Sequence, residues 1–158
     1  MENIFVEEAP GIYRTATKPE IVAAALRSLR VQRGVAFTAP SVARDWLRLR
    51  LGSLEHEVFG VAYLDSQNRL IEFFEASRGT LTQTSVYPRE ILKRAIQVNA
   101  AAVILSHNHP SGLPEPSTAD RMITDSIRDA LRFIDVKVLD HVIVGADQCY
   151  SFAEHGLV

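Results

Sequence analysis

Two kinds of apolar spacing follow one another along the chain. Near the N-terminus the spacing is helical, and it predicts one helix over residues 19–31 and another over 40–52. From residue 57 onward, short apolar runs of strand length alternate with two further helical patterns. These patterns predict strands over 57–65, 70–76, 81–87, 100–106, 136–145 and 150–152, and helices over 88–98 and 117–133. The predicted fold class is therefore α/β or α+β, with a mixed β-sheet flanked by helices.

The composition fits a globular domain and excludes several other classes of protein. The chain has 158 residues, of which 47% are hydrophobic and 23% are charged, and this balance excludes a disordered or fibrous chain. No apolar run approaches the roughly 20 residues of a membrane-spanning helix, and the acidic N-terminus lacks the pattern of a secretory signal. We therefore expect a cytoplasmic protein with no membrane contact. Its single cysteine, Cys149, provides neither an internal disulfide nor a thiolate-rich metal site.

The formal net charge of −2 conceals an uneven distribution along the chain. Residues 1–53 contain eight basic and five acidic residues, which leaves the remainder of the chain acidic. Solvated helix faces are the ordinary explanation of such a balance, and a nucleic-acid-binding arm is the alternative. The change of pattern near residue 38 divides the chain into a predicted N-terminal helical extension, 1–37, and a main domain, 38–158.

The residues most informative about chemistry lie in the segment 106–120, Ser-His-Asn-His-Pro-Ser-Gly-Leu-Pro-Glu-Pro-Ser-Thr-Ala-Asp. His107 and His109 follow a buried strand, so in an extended chain both imidazoles project to the same side. A proline-rich loop leads to Ser117, a good helix cap, which places Asp120 in the first turn of the next helix. Two imidazoles and a carboxylate are the three protein ligands of a catalytic zinc site, whose fourth position is open to water. The combination therefore predicts a metal site.

The spacing His-x-His, seven residues, Ser, two residues, Asp resembles the JAMM motif of MPN-fold metalloproteases. The longer string SHNHPSGLPEPSTAD, with Tyr-Pro-Arg-Glu before it at 87–90 and Leu-Asp-His after it at 139–141, is similar to the RadC branch of that family. The resemblance covers residues 38–155 and implies a three-layer α+β domain of cytidine-deaminase-like architecture. It also implies a stand-alone form, without the helix-hairpin-helix region that longer RadC proteins carry upstream.

The resemblance implies roles for individual residues of the motif. His107, His109 and Asp120 would hold one zinc ion per chain, with other divalent metals such as manganese or iron as alternatives. Ser117 would stabilise the oxyanion, cap the following helix, or do both. Asn108 departs from the JAMM consensus, which has Ser or Thr between the two histidines.

The resemblance also implies a general base. The JAMM pattern includes a glutamate at the start of the first strand that follows the long helix. Glu57 occupies that position, and Glu55, two residues earlier, is its rival. We therefore expect a zinc-dependent peptidase or isopeptidase in which Glu57 takes a proton from a metal-activated water. The resemblance implies a peptide or protein substrate, and the sequence does not identify it.

Two alternatives remain open at this point. The RadC family is named for DNA repair, and the basic N-terminal third offers Arg44, Arg48 and Arg50 as contacts to DNA. In that case the metal site serves another hydrolytic reaction or a structural role. The fold could also serve as an interaction module. His141, which follows Asp140, is interpreted as a structural histidine outside the ligand set.

Overall fold

The computed structural model describes residues 4–30, 34–79 and 86–158 of the chain. These residues form two compact units, Met1–Gln32 and Arg33–Val158. The domain division after residue 37 stays a prediction.

The first unit combines a β-hairpin with one helix. Strands β1 (Phe5–Ala9) and β2 (Ile12–Thr15) pair antiparallel, and Gly11, with a φ of +79°, lies in the turn between them. Helix α1 (Lys18–Arg30) follows and agrees with the sequence prediction. The hairpin was not predicted, because its largely exposed strands lack the alternation of apolar and polar residues that identifies a half-buried strand.

The second unit is built on one five-stranded sheet. Its elements in chain order are α2 (Pro40–Leu51), β3 (Val58–Leu64), β4 (Leu70–Arg78), α3 (Pro88–Gln97), β5 (Ala102–Asn108), α4 (Thr118–Arg132), β6 (Lys137–Val144), β7 (Cys149–Ser151) and a short 3₁₀ helix, Ala153–His155. The strand order is β4-β3-β5-β6-β7. Strands β5 and β6 run parallel, joined through α4, and the other neighbours run antiparallel. The predicted mixed sheet flanked by helices is confirmed.

Helices cover both faces of this sheet. On one face, alternate residues of β3 and β5 such as Leu105 pack with Ile91 of α3 and Ile127 of α4 in one buried cluster. On the other face, Trp46 of α2 meets Phe73 of β4 edge to face, with ring centroids 5.2 Å apart. This arrangement gives the three layers that the resemblance implies.

Most predicted elements agree with the observed ones to within about two residues. The strand predicted to end at Ser106 continues to Asn108, because its ladder with β6 extends that far. The strand predicted over 81–87 lies mostly outside the described residues, and Val86 and Tyr87, which are described, belong to no strand. Among the helices that the structure describes, none has the length and apolar character needed to cross a bilayer.

The strand register brings three separate segments to one end of the sheet. Phe59, near the start of β3, lies opposite His107, near the end of β5. His107 in turn lies beside Ile143 of β6. The residues before β3, the loop after β5 and the start of α4 therefore meet where the parallel strands end. Ligand sites of α/β proteins commonly lie at this end of the strands.

Candidate metal centre

The three predicted metal ligands converge at the C-terminal end of β5. His107 is buried in the strand, His109 follows it, and Asp120 lies in the first turn of α4. Nε2 of His107 lies 2.9 Å from Nε2 of His109 and 3.3 Å from Oδ1 of Asp120. One ligand atom from each of the three residues lies within 4.8 Å of the others. These side chains therefore form a possible metal-binding group.

The separations fit a small divalent cation. Zinc–ligand bonds of about 2.0–2.2 Å at a tetrahedral angle place neighbouring ligand atoms about 3.4 Å apart. The two separations from His107, 2.9 and 3.3 Å, lie close to that value. Imidazole and carboxylate ligands suit zinc and are also accepted by manganese and iron.

The loop between β5 and α4 fixes the orientation of His109. Its Nδ1–H donates to the carbonyl oxygen of Leu113 at 2.8 Å, which leaves the lone pair of the neutral ring on Nε2. The N–H of Gly112 donates to the His109 carbonyl at 2.9 Å, and the φ of Gly112, +87°, lies in the region that favours glycine. The His109 N–H donates to the carbonyl of Val144 at 2.9 Å. The loop is therefore closed on itself and attached to β6.

A chain of three hydrogen bonds fixes the ring of His107. The hydroxyl of Thr124 donates to the main-chain carbonyl of Asp120 at 2.5 Å, and a carbonyl can only accept. Thr124 Oγ1 therefore accepts from Nδ1–H of His141, 2.6 Å away. Nε2 of neutral His141 then accepts from Nδ1–H of His107, at 2.8 Å. The lone pair of neutral His107 is consequently on Nε2, the atom that faces His109 and Asp120.

Burial keeps the imidazole rings of His107 and His141 neutral. Removal from water lowers the pKa of His107 to about 4, although the charge of Asp120 acts in the opposite direction. Burial also lowers the pKa of His141 well below its ordinary value, and the neighbouring His107 and His109 add to this effect. Neutral imidazole is the form that binds a metal ion. The two rings are thus held in the protonation state that a metal site requires.

Sequence reasoning missed the contribution of His141 and Thr124. His141 lies outside the group of three ligands, but its ring holds that of His107. The one signal in the sequence is the spacing of four residues between Asp120 and Thr124, which places both on the same face of a helix. The partnership of His141 with His107 depends on the pairing of β5 with β6, which no local pattern reveals.

Ser117 fixes the carboxylate of Asp120. The N–H and the hydroxyl of Ser117 donate to Oδ2 of Asp120 at 2.7 and 2.6 Å. The Asp120 N–H donates to the Ser117 hydroxyl at 3.1 Å, which completes a capping box at the start of α4. Oδ1 of Asp120 remains directed toward His107. Helix capping is thus the role that the contacts of Ser117 show, and its oxyanion role stays a prediction.

Glu57 directly precedes β3 and lies within electrostatic reach of the ligands. Its side chain is half-buried, and burial raises its pKa above the ordinary value of 4.5. A positive charge on His109 would lower this pKa, and the charge of Asp120 raises it, so both residues act on the Glu57 carboxylate. Glu55, its rival, is exposed. The environment of Glu57 suits a general base, and that role stays a prediction.

Two of the arginines predicted as DNA contacts interact within the chain. Arg44 forms an ion pair with Glu154. The guanidinium of Arg50 lies over the ring of Phe73, 4.3 Å from its centroid. DNA would have to compete with both contacts. The DNA-associated role therefore stays a prediction.

The fold and the site define a class of protein. A mixed five-stranded sheet between helices, with two histidines and an aspartate at the end of a parallel strand, is consistent with the JAB, or MPN, class. The family model of the RadC-like JAB domain matches residues 37–157. The chain belongs to this family.

Curated relatives share the sequence at high identity. A UPF0758 protein of Leptothrix cholodnii is 58% identical over 139 residues, which are 88% of this chain and 62% of that protein. A UPF0758 protein of Dechloromonas aromatica is 60% identical over 124 residues, 78% of this chain and 55% of the relative. The chain thus spans less than two thirds of these two proteins. UPF0758 protein YfjY of Escherichia coli is 48% identical over 160 residues, 100% of this chain and 99% of the relative. This relative is therefore close in length to the present chain.

Proposed function

We propose that the chain is a zinc-dependent hydrolase that cleaves an amide bond in a peptide or an isopeptide. His107, His109 and Asp120 hold the cation, and Glu57 is the general base. The observation that carries the proposal is the convergence of three ligand atoms of fixed orientation beside a half-buried carboxylate. This combination is typical of catalytic metal sites, which need three protein ligands and a nearby proton acceptor.

The chemistry divides between the cation and the side chains. A divalent cation held by these ligands would lower the pKa of a water molecule and polarise the substrate carbonyl. Glu57 takes a proton from the water molecule while the water oxygen bonds to the carbonyl carbon of the substrate. Glu57 then passes this proton to the amine nitrogen as the carbon–nitrogen bond breaks. Its raised pKa suits the first step, because the carboxylate accepts a proton more readily than an exposed glutamate does.

Ser117 is the proposed donor to the developing oxyanion. It is exposed, and its hydroxyl contacts Oδ2 of the candidate ligand Asp120 at 2.6 Å. To donate to the substrate, its hydroxyl must turn away from Oδ2 of Asp120. The Ser117 N–H would keep its own bond to that oxygen, at 2.7 Å, so the Asp120 carboxylate would stay in place. Both roles of Ser117 are therefore compatible.

The test compares zinc-loaded wild-type protein with three variants on a library of peptides and of isopeptides linked through lysine Nζ. Glu57→Gln should lower amine release about 10²- to 10⁴-fold, the usual contribution of a general base, while its zinc content stays at one per chain. Glu55→Gln is the matched control and should cleave like the wild type. His109→Ala should lose both zinc and cleavage.

Three outcomes would contradict parts of this proposal. Equal turnover in Glu57→Gln and the wild type would exclude Glu57 as the base. Equal zinc content in His109→Ala and the wild type would exclude the ligand assignment. A zinc-loaded wild type that cleaves no member of the library would exclude the proposed substrate class.

A further inference from the structure

The side chain of Asn108 connects the end of β5 to the segment that carries Glu57. Asn108 is 2% exposed. Its Oδ1 accepts from the N–H of Val58 at 2.8 Å. Its Nδ2 donates to the carbonyl oxygens of His56, at 3.0 Å, and Leu54, at 3.3 Å. The acceptor and both donor hydrogens of the amide group are therefore engaged with main-chain groups on the two sides of Glu57.

These bonds extend the pairing of β3 with β5 beyond the last paired main-chain residues. The backbone pairing of β3 with β5 ends at Phe59 and His107. Beyond this point β5 remains paired with β6 alone, and the N–H of His109 donates to the carbonyl of Val144. The side chain of Asn108 takes the place of the missing main-chain partner. Glu57 is also held from the other side of β3, because the N–H of Gly79, which follows β4, donates to the carbonyl of Glu57 at 3.0 Å.

We propose that Asn108 is a positioning residue that holds Glu57 beside the metal ligands. The proposal rests on the proposed function in one respect, since it takes Glu57 as the base. The same residue that separates His107 from His109 along the strand thereby also sets the position of the main chain at Glu57. The ligands and the base are linked through one amide side chain.

The chemistry of an amide explains why asparagine occupies this position. Alanine would leave the Val58 N–H and the His56 carbonyl without their partner. Serine offers one donor hydrogen where asparagine offers two. Aspartate keeps the acceptor but directs a second oxygen at two carbonyl oxygens, which is repulsive when the group is ionised.

The first readout is hydrogen exchange at the amide of Val58, measured by NMR in the folded, zinc-loaded protein. The Val58 amide should exchange about tenfold faster or more in both Asn108→Ala and the nearly isosteric Asn108→Asp. Alanine removes the acceptor of this amide. Aspartate keeps the acceptor but loses the bonds to Leu54 and His56 that hold the side chain in place. The amide of Leu105, in the middle of β5, should exchange at the wild-type rate. Ser106→Ala is the matched control, because Ser106 is also buried on β5 and donates to the carbonyl of Gly60 at 3.2 Å.

The second readout reports on Glu57 without any substrate. Co²⁺ is added in place of zinc, and its visible absorption is followed as a function of pH. The pH at the midpoint of the absorption change is compared among variants. Glu57→Gln should shift this midpoint, and both Asn108 variants should shift it in the same direction with one Co²⁺ still bound. The double variant Glu57→Gln/Asn108→Ala should show no shift beyond that of Glu57→Gln, because Asn108 acts through Glu57. Ser106→Ala should leave the midpoint unchanged.

Several results would overturn the inference. These are wild-type exchange of the Val58 amide in both Asn108 variants, an additive shift in the double variant, or no midpoint shift in Glu57→Gln. If the alanine variant fails to fold, the aspartate variant supplies both readouts. Failure of the proposed function has a different signature, namely the absence of peptide or isopeptide cleavage by the wild type, and neither readout here depends on cleavage.

Discussion

The hydroxyl of Thr124 lies 2.6 Å from Nδ1 of His141, although neither residue belongs to the group of three ligands. Thr124 also donates to the main chain of Asp120, and His141 accepts from His107. The candidate ligands His107 and Asp120, from β5 and α4, are thus joined through the buried side chains of His141 and Thr124. The tautomer of His107 is set before a metal binds, so binding requires less rearrangement of the protein.

Replacing Thr124 by valine should weaken zinc binding about 10- to 100-fold, the usual effect of removing a group that orients a ligand. Valine keeps the shape of threonine but leaves Nδ1–H of His141 without an acceptor. His141 can then carry its proton on Nε2 and donate it to Nδ1 of His107. The proton of neutral His107 would then lie on Nε2, the atom that should bind zinc. Competition with a chromophoric chelator measures the affinity. Thr124→Ser keeps the hydroxyl and should bind zinc like the wild type, and equal affinities of the two variants would contradict the chain of hydrogen bonds.

Replacing Ser117 by alanine should destabilise the protein in the absence of metal. The variant loses the acceptor of the Asp120 N–H at the start of α4, and loss of such a cap costs about 1 kcal/mol of the free energy of unfolding. Urea unfolding in the presence of EDTA measures the change. Ser117→Thr retains a capping hydroxyl and should recover most of it. An alanine variant as stable as the wild type would show that the cap contributes nothing to folding.

The grouping of His107, His109 and Asp120 was predictable from the sequence because its geometry is local. The spacing of His107 and His109 along a strand, and of Asp120 after the capping residue Ser117, follows from the repeat of one strand and from the first turn of one helix. The fold class followed similarly from alternating strand and helix patterns. In each case the determining residues lie close together along the chain.

The contacts that hold the ligands were not predictable, because they join residues far apart in the sequence. His141 meets His107, and Asn108 meets Val58, only through the register of strand pairing. A shift of one residue would turn each side chain to the opposite face of the sheet. The Leu113 carbonyl that orients His109 depends on the detailed path of a loop. A single sequence contains no direct signal for either feature.

Gly145 allows β6 to approach the loop that carries His109. A Cβ at this position would lie 2.5 Å from the carbonyl oxygen of Gly112 and 2.9 Å from Cδ of Pro114. Gly145→Ala should push the loop outward, disturb the bond between His109 and Leu113, and lower zinc affinity by about tenfold or more. The same chelator competition measures this change.

Gly60→Ala is the control for this prediction, because it also adds one methyl group to a buried glycine. Its Cβ would overlap the ring of Phe73, on the face of the sheet opposite the ligands. We expect a loss of about 1–3 kcal/mol in the free energy of unfolding from overpacking, with unchanged zinc affinity of the folded protein. Equal losses of affinity in both variants would indicate general destabilisation instead of a displaced loop.

Glu57 should oppose folding of the metal-free protein at neutral pH. Burial raises its pKa above the ordinary 4.5, so the folded protein binds this proton more tightly than the unfolded chain does. Below the unfolded-state pKa the carboxyl is protonated in both states, and its ionisation costs nothing. As the pH rises through the folded-state pKa, the ionised group is held away from water in the folded protein alone, and stability decreases.

Glu57→Gln removes this cost, so the variant should have a higher free energy of unfolding than the wild type at about pH 7.5, and the difference should disappear near pH 4. Urea unfolding with EDTA at both pH values measures it. Glu55→Gln replaces an exposed carboxyl and should match the wild type at both. A Glu57→Gln variant no more stable than the wild type at the higher pH would mean that the carboxylate is fully hydrated in the fold. That result would also remove the physical reason for its raised pKa and weaken its assignment as the base.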